Sequence, residues 1–501
     1  MSSALATRIA EEHAAAAASL PADVVSREKR RSAIDTLTTQ GLPTSRDENW
    51  KYANLRLLEK VRFVPLAADF QGRDAAQAET SSNAGKDGEG LRLTREDLPA
   101  SVEGYARYTF VDGVFIPALS SELQRTGIEV KSLRGTRSPV LPAAPVQTVA
   151  TAQAYTTATA QATDSSLSPF NGSKDARFAL LNDAFATDGA SIRVSAGIDA
   201  CIELVFIASV DLQTGSSYPR VELQVEAGAR LGLIERHISV GGGTNFVNAS
   251  IKVDIARGAT VNHYRLQESG VRAVWFDTLA ATLAQDATYR LHGVNLGGLS
   301  ARSTVHVQLA GERADAAISI ASLGDQQQVQ DTFVLVEHAA PRACSEQTFR
   351  GISAGRARVA FNGMVVVRKD AVGTDSQQSL RGLLAGADAE IDVRPQLEIY
   401  TDDVRCAHGA TAGKLDDNML FYLLSRGIDP ATAQRLLKWA FLEDVVAKIE
   451  VPELRRQIER SLAGQMQDAL PVDLTGAGLE GAPNTAGTTV SGRSPRDRSL
   501  L

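Results

Sequence analysis

Residues 220–235 read RVELQVEAGARLGLIE, and residues 251–265 read IKVDIARGATVNHYR. Each holds a short alternating β-branched run, a small-residue turn at Gly228 or Gly258, and a second alternating run. A period of two marks a strand with one buried face, and glycine between two such runs marks a turn. The turn signal recurs at Asp286, Glu312, Arg356 and Asp388, so the series advances by 30, 28, 26, 44 and 32 residues. Further strand-like runs occupy 202–209, 304–309, 316–321 and 364–369. A repeat of 26–32 residues with one wide insertion, several short strands per repeat and no amphipathic helix predicts stacked coils, a parallel β-helix. The leucine-rich pattern L-x-x-L-x-L and the WD signature of propellers are both missing; an all-β sandwich is the alternative on periodicity alone.

Outward from this core the period changes to that of helices. Near the start, Asp23 is the expected N-cap and Gly41 the glycine after the C-terminus. Arg27, Lys29, Arg30 and Arg31 read as a solvated basic face, whereas Trp50 and Tyr52 are expected to be buried or docked. After Gly413, Asp416 or Asp417 caps NMLFYLLSRG, and Asp429-Pro430 opens a helix with Leu436, Leu437, Ala440, Phe441 and Val445 on one face. A last helix is expected over about 452–463. Residues 71–90, 135–168 and 474–501 are Gly-, Ser-, Thr- or Pro-rich without periodicity and read as loops or tails, with a helical stretch allowed near 146–159. The expected division is a helical unit over 1–65, a connecting segment over 66–175, the β-helix over 176–411, a helical unit over 412–465 and a tail over 466–501.

Composition narrows the functional classes. With a net charge of −7 over 501 residues the chain has no electrostatic pull toward nucleic acid or anionic membrane. Glu11, Glu12 and His13 interrupt the Ala-rich N-terminus, so a cytoplasmic, non-membrane protein is expected. The three cysteines, Cys201, Cys344 and Cys406, are far apart, which excludes a disulfide framework, a zinc ribbon and a four-thiolate cluster motif. No G-x-S-x-G elbow or P-loop is present, so serine hydrolase and ATPase chemistry have no local support. GVNLGG and VGGGTN read as turns, and His237, His263, His292 and His306 as surface or satisfied interior histidines. One cluster stands out, YTDDVRCAHGATAGKLDD over 400–417, where Cys406 and His408 sit two apart. On a strand, both side chains would share a face, and thiolate with imidazole suits iron, zinc or copper(I). Two ligands are too few for a closed site. The competing reading makes Cys406 a small buried hydrophobe and His408 a hydrogen-bonding corner residue.

Four segments carry a family resemblance: PTSRDENWKYANLR (43–56), ALLNDAFATDGASIRV (179–194), HAAPRACSEQTFRGI (338–352) and PQLEIYTDDVRCAHGATAGKLDDNMLFYLLSRGI (395–428). Together they resemble the SufB/SufD family of iron–sulfur cluster assembly, over about 20–465. The W-K-Y segment, the C-A-H-G-A-T form and the scarcity of cysteine resemble SufD more than SufB, which typically has Glu where this chain has Gly409.

The resemblance implies a mainly β fold, a right-handed parallel β-helix core flanked by N-terminal and C-terminal α-helical domains. It implies a non-catalytic scaffold that pairs with a SufB-like subunit through the β-helix end and docks the SufC ATPase through C-terminal helices. Leu420, Phe421, Leu436, Leu437 and Phe441 are the expected docking side chains. A transient iron–sulfur cluster would be shared with SufB; His408 matches the histidine that SufD contributes, and Cys406 a neighbouring cysteine. The resemblance leaves open a homodimer where SufB is absent. Flavin is associated with the family's complex, but no residue here specifies it. The alternatives are a SufB-like cluster-carrying subunit, a cytoplasmic adaptor without metal chemistry, and a β-helix enzyme acting on carbohydrate, which would need paired carboxylates on neighbouring coils.

Overall fold

The computed structural model describes residues 3–66, 93, 95–121, 127–134, 173–209, 215–240 and 245–466. The low-complexity segments at 71–90, 135–168 and 474–501 lie outside the described residues. The β region forms a solenoid of about seven turns. Successive strands alternate between two parallel sheets, one running from Asp199–Ser209 to Val404–Lys414, the other from Ala190–Val194 to Glu390–Ile399. Inward side chains of the two sheets meet in one continuous apolar core that includes Ile202, Leu233, Val261, Leu279, Val305, Val334 and Phe361.

One corner of the coil explains the repeat. Gly197, Gly228, Gly258, Asp286, Arg313, Arg342 and Gly373 all have positive φ, between 56° and 72°. Each donates its N–H to a carbonyl of the next coil: Gly228 to Arg257 (3.0 Å), Asp286 to Glu312 (2.9 Å), Arg342 to Val372 (2.8 Å). Left-handed backbone is easiest for glycine, and three of the seven turns accept it with a side chain present. The expected wide insertion between Glu312 and Arg356 does not exist. Arg356 follows Gly355 at the opposite corner, leading into Arg358–Val367, and the residue equivalent to Arg313 is Arg342. The period is therefore near 30 throughout.

Helices α1 (Ser3–Ala16), α2 (Arg27–Gln40) and α3 (Arg177–Phe185) cover the outer face of the second sheet. The cap of α2 is Ser26, which accepts from Lys29 N (3.2 Å), and not Asp23. Gly41 ends the helix at φ 70°, as expected. Arg30 is not on a solvated face. It is buried and donates to the carbonyls of Val25 (3.0 Å), Pro21 (2.8 Å), Ala184 (2.9 Å) and Ala186 (2.8 Å), clamping α2 to the end of α3. Trp50 is wholly buried; it stacks on Phe178 (5.1 Å), lies under the Arg302 guanidinium (4.3 Å) and donates to Asp175 (2.7 Å).

At the other side, α4 (Asp417–Ser425), α5 (Pro430–Val446) and α6 (Pro452–Gln465) follow the last strand. Asp416 caps α4 and Asp429 caps α5 ahead of Pro430. Leu442, Val445, Val446, Leu454, Ile458 and Leu462 pack on the outer face of the first sheet, against Tyr264, Leu266, Val294 and Ile352. Arg350 pairs with Asp444 (2.7 Å) and Lys448 with Glu346 (2.9 Å), fastening α5 to its strands.

Two outcomes follow. Trp50→Ala should lower stability by about 3–5 kcal/mol, because it empties a buried aromatic site and removes the donor to Asp175 Oδ1; a shift below about 1 kcal/mol in chemical denaturation would refute the docking role. Burial also holds His338, and burial aided by Lys448 and Arg290 holds His292, at about 4 against an ordinary 6.5. Unfolding lets both rings bind protons, so stability is full above 6.5 and falls as pH drops toward 4. Exchanging both for neutral side chains should flatten the slope of unfolding free energy in that window.

Candidate functional site at the open end of the solenoid

The two ends of the solenoid differ. At the N-terminal end, Ala106–Val111 pairs antiparallel with Val114–Phe115 and Ile128–Ser132 pairs antiparallel with Ala190–Val194, so each sheet ends on a reversed strand. At the C-terminal end, Glu390–Ile399 and Val404–Lys414 are the last strands of their sheets, each with one edge unpaired among the described residues. Residues 407–414 are all exposed. An open edge of this length is an invitation to another chain unless it is used.

Cys406 and His408 lie on that last strand, two residues apart and on one face, as the sequence spacing predicts. Cys406 packs partly against the solenoid core, which makes this the inward face. Their neighbours are fixed by register. One inward column runs Ala200, Leu231, Val261, Tyr289, Ala316, Ser345, Ser376, Cys406. The next runs Ile202, Leu233, His263, Leu291, Ile318, Gln347, Gln378, His408. Over the last coils both columns become polar. Ser345 and Ser376 hydroxyls are 2.9 Å apart, and His338 Nε2 lies 2.8 Å from Ser345 Oγ. The segment from His338 to Ser345 is thus a corner closed from inside by its first and last residues.

The serines and glutamines of these columns escaped sequence reading. Their signal was present: Ser345, Ser376 and Cys406, and likewise Gln347, Gln378 and His408, are spaced 31 and then 30 residues apart. The shifted repeat at Arg356 hid it.

Burial, then the nearby Asp375 charge, pushes the Cys406 thiol up, opposed by a backbone hydrogen bond from Ser376. In the free chain it is a thiol and must shed its proton to bind metal. The other cysteines are elsewhere. Cys344 is exposed on the opposite face of its strand, in register with Asp315 and Asp375, and Cys201 lies in register with Gly232 near the other end. Among the described residues no group of three or more His, Cys, Asp or Glu side chains is placed to hold a metal ion. Cys406 and His408 are at most part of a ligand set.

The strand histidines divide as follows. His263 is fully buried between Glu235 (2.9 Å) and Tyr289 (2.9 Å), inside a network where Arg265 bridges Glu235 (3.1 Å) and Asp277 (2.5 Å). His237 shares Glu235, His306 pairs with Glu337, and His292 stacks on Tyr264 (5.4 Å).

Helix α4 begins three residues after the last strand and buries none of its residues. Phe421 is 72% exposed, and Met419 and Tyr422 54% each. Of the other expected docking residues, Leu420, Leu436 and Leu437 are half-buried, and Phe441 packs against the cluster beneath α5. Met419 and Tyr422 were missed, although NMLFYLL is apolar around its whole circumference and so requires a partner surface.

Residues 206–441 match the family model described as SUF system FeS cluster assembly, SufBD core domain. The iron–sulfur cluster assembly protein SufD of Escherichia coli K12 is 30% identical over 433 residues, covering 85% of this chain and 89% of the relative. An iron–sulfur cluster assembly SufBD family protein of Synechocystis is 27% identical, over 87% and 90% of the two chains. Another from Mycobacterium tuberculosis is 32% identical over 45% of this chain and 59% of its own. No helix among the described residues is long and apolar enough to cross a membrane. Solenoid, flanking helices and sequence agree: this chain belongs to the SufBD family of iron–sulfur cluster assembly proteins and is SufD-like within it.

Proposed function

We propose that this chain is the SufD-like scaffold subunit of a cytoplasmic cluster-assembly complex, pairing with a SufB-like subunit through the open end of its solenoid. The observation that supports this most is the last strand, whose edge is unpaired among the described residues and on which His408 and Cys406 end two interior columns that turn polar over the last coils. The nascent iron–sulfur cluster is cargo, held in the seam by His408 and, secondarily, Cys406, with the remaining ligands from the partner. The chain itself is non-catalytic. A SufC-type ATPase docks on α4 and the adjoining face of α5, where the exposed Met419, Phe421 and Tyr422 supply the apolar anchor. Without SufB, a second copy of this chain is the expected occupant of the edge.

A shared site suits an assembly function. Four preorganised thiolates would retain the cluster, whereas ligands split across a seam separate when one subunit moves. Histidine also loses its affinity for metal on protonation. The helices are connected to the site in two ways. The strand bearing His408 runs directly into α4, and the Arg350–Asp444 pair ties α5 to the first sheet. ATP-driven movement of the docked subunit would reach the seam by these routes.

His408→Ala should leave the heterodimer intact, since a strand edge pairs through its backbone, and reduce cluster formed on the reconstituted complex about tenfold or more. A wild-type yield of iron and sulfide would sink the ligand role. For docking, Phe421→Asp on α4 should cost at least about 2 kcal/mol of binding, roughly 30-fold, with little change in melting. Undiminished co-purification of the ATPase would refute it. Deleting the helices is the poorer test, because α5 and α6 cover the first sheet.

A further inference from the structure

We propose that Gln378 is a positioning residue for His408: its side-chain oxygen accepts the imidazole N–H and thereby selects which ring nitrogen faces the seam. The inference rests on the reading of His408 as a cluster ligand. Gln378 is buried, 4% exposed, and its amide is oriented by its partners. Nε2 donates to the Gly363 carbonyl (3.0 Å) and to Gln347 Oε1 (3.1 Å). A backbone carbonyl can only accept, so the nitrogen belongs on that side and the oxygen on the other. Gln347 is anchored in turn through its own Nε2 to the Met364 carbonyl (3.4 Å).

Space for this pair is made by Gly363. A Cβ there would lie 2.5 Å from Gln347 Oε1 and 3.0 Å from Gln378 Nε2. With both N–H groups of Gln378 engaged, its Oε1 is left buried with no partner. Buried acceptors are rarely left so. The next residue in the column is His408, on the adjacent strand about 4.8 Å away and on the same inward phase. A neutral imidazole has one N–H and one lone pair. Giving the N–H to Gln378 Oε1 aims the lone pair of the other nitrogen at the metal. Partners of this kind fix the tautomer of a ligating histidine, raise its basicity, and cost about 10–100-fold in metal affinity when removed.

The test uses the full chain with 15N-labelled histidine, the His408 signals being identified by their loss in His408→Ala. Long-range 1H–15N correlation spectra should show one tautomer for His408 in the wild type and a mixture in Gln378→Leu. With the partners added, Gln378→Leu should form cluster about tenfold less. A wild-type His408 already mixed in tautomer overturns the proposal without recourse to a variant. So does a single tautomer that survives Gln378→Leu, since a water would then hold the ring. Full cluster yield in His408→Ala refutes the ligand reading itself, whereas loss in His408→Ala with no effect of Gln378→Leu refutes only the positioning role.

Discussion

Everything in this molecule depends on parallel strands stacking in register every thirty or so residues. Each coil meets its neighbours through backbone hydrogen bonds along two sheets and through one corner where a left-handed residue donates to the next coil. A slip of one residue would turn every inward side chain outward, so the apolar column positions hold the register as firmly as the ladder does. Asp286, Arg313 and Arg342 show the strength of the constraint. They adopt positive φ with a side chain in place, at a cost of about 1–2 kcal/mol each, because the corner must form there.

The same stacking turns a sequence position into a place along an axis. Near the N-terminal end, inward positions are filled by Leu, Ile and Val and each sheet ends on an antiparallel strand. Toward the C-terminal end, the equivalent positions are Ser345, Ser376, Gln347 and Gln378, and the edge is left open. An unsatisfied buried acceptor such as Gln378 Oε1 costs about 1–3 kcal/mol. Local disagreement with core-building rules of this kind is concentrated where a protein has work to do.

The segments that carry the family resemblance separate into two physical kinds. Asn182 Nδ2 donates to the carbonyls of Pro219 (3.1 Å) and Asn248 (2.7 Å), Asp183 pairs with Arg220 (2.7 Å), Trp50 docks under Arg302, and His338 closes a corner with Ser345. These residues hold helices and turns onto the solenoid. The stretch from Cys406 through Tyr422 does the reverse: most of it is exposed, and what it has in common is a location at the open end and on the helix beside it.

The amino-acid pattern alone determined that short alternating runs with a thirty-residue repeat make a solenoid, that helices flank it, and that Cys406 and His408 share a strand face. Those are consequences of local periodicity and spacing, which a linear chain carries in full. It misplaced one repeat, because turns at opposite corners of a coil look alike in sequence. It put Arg30 in solvent, because one arginine held by backbone carbonyls looks the same in sequence as its exposed neighbours Arg27 and Arg31. Only the tertiary structure decided that the solenoid ends on a strand whose residues 407–414 are exposed, that no residue of α4 is buried, and that His408 falls in register with Gln378. Edge, exposure and stacking are relations between coils distant in the chain, and they exist only once register has been set.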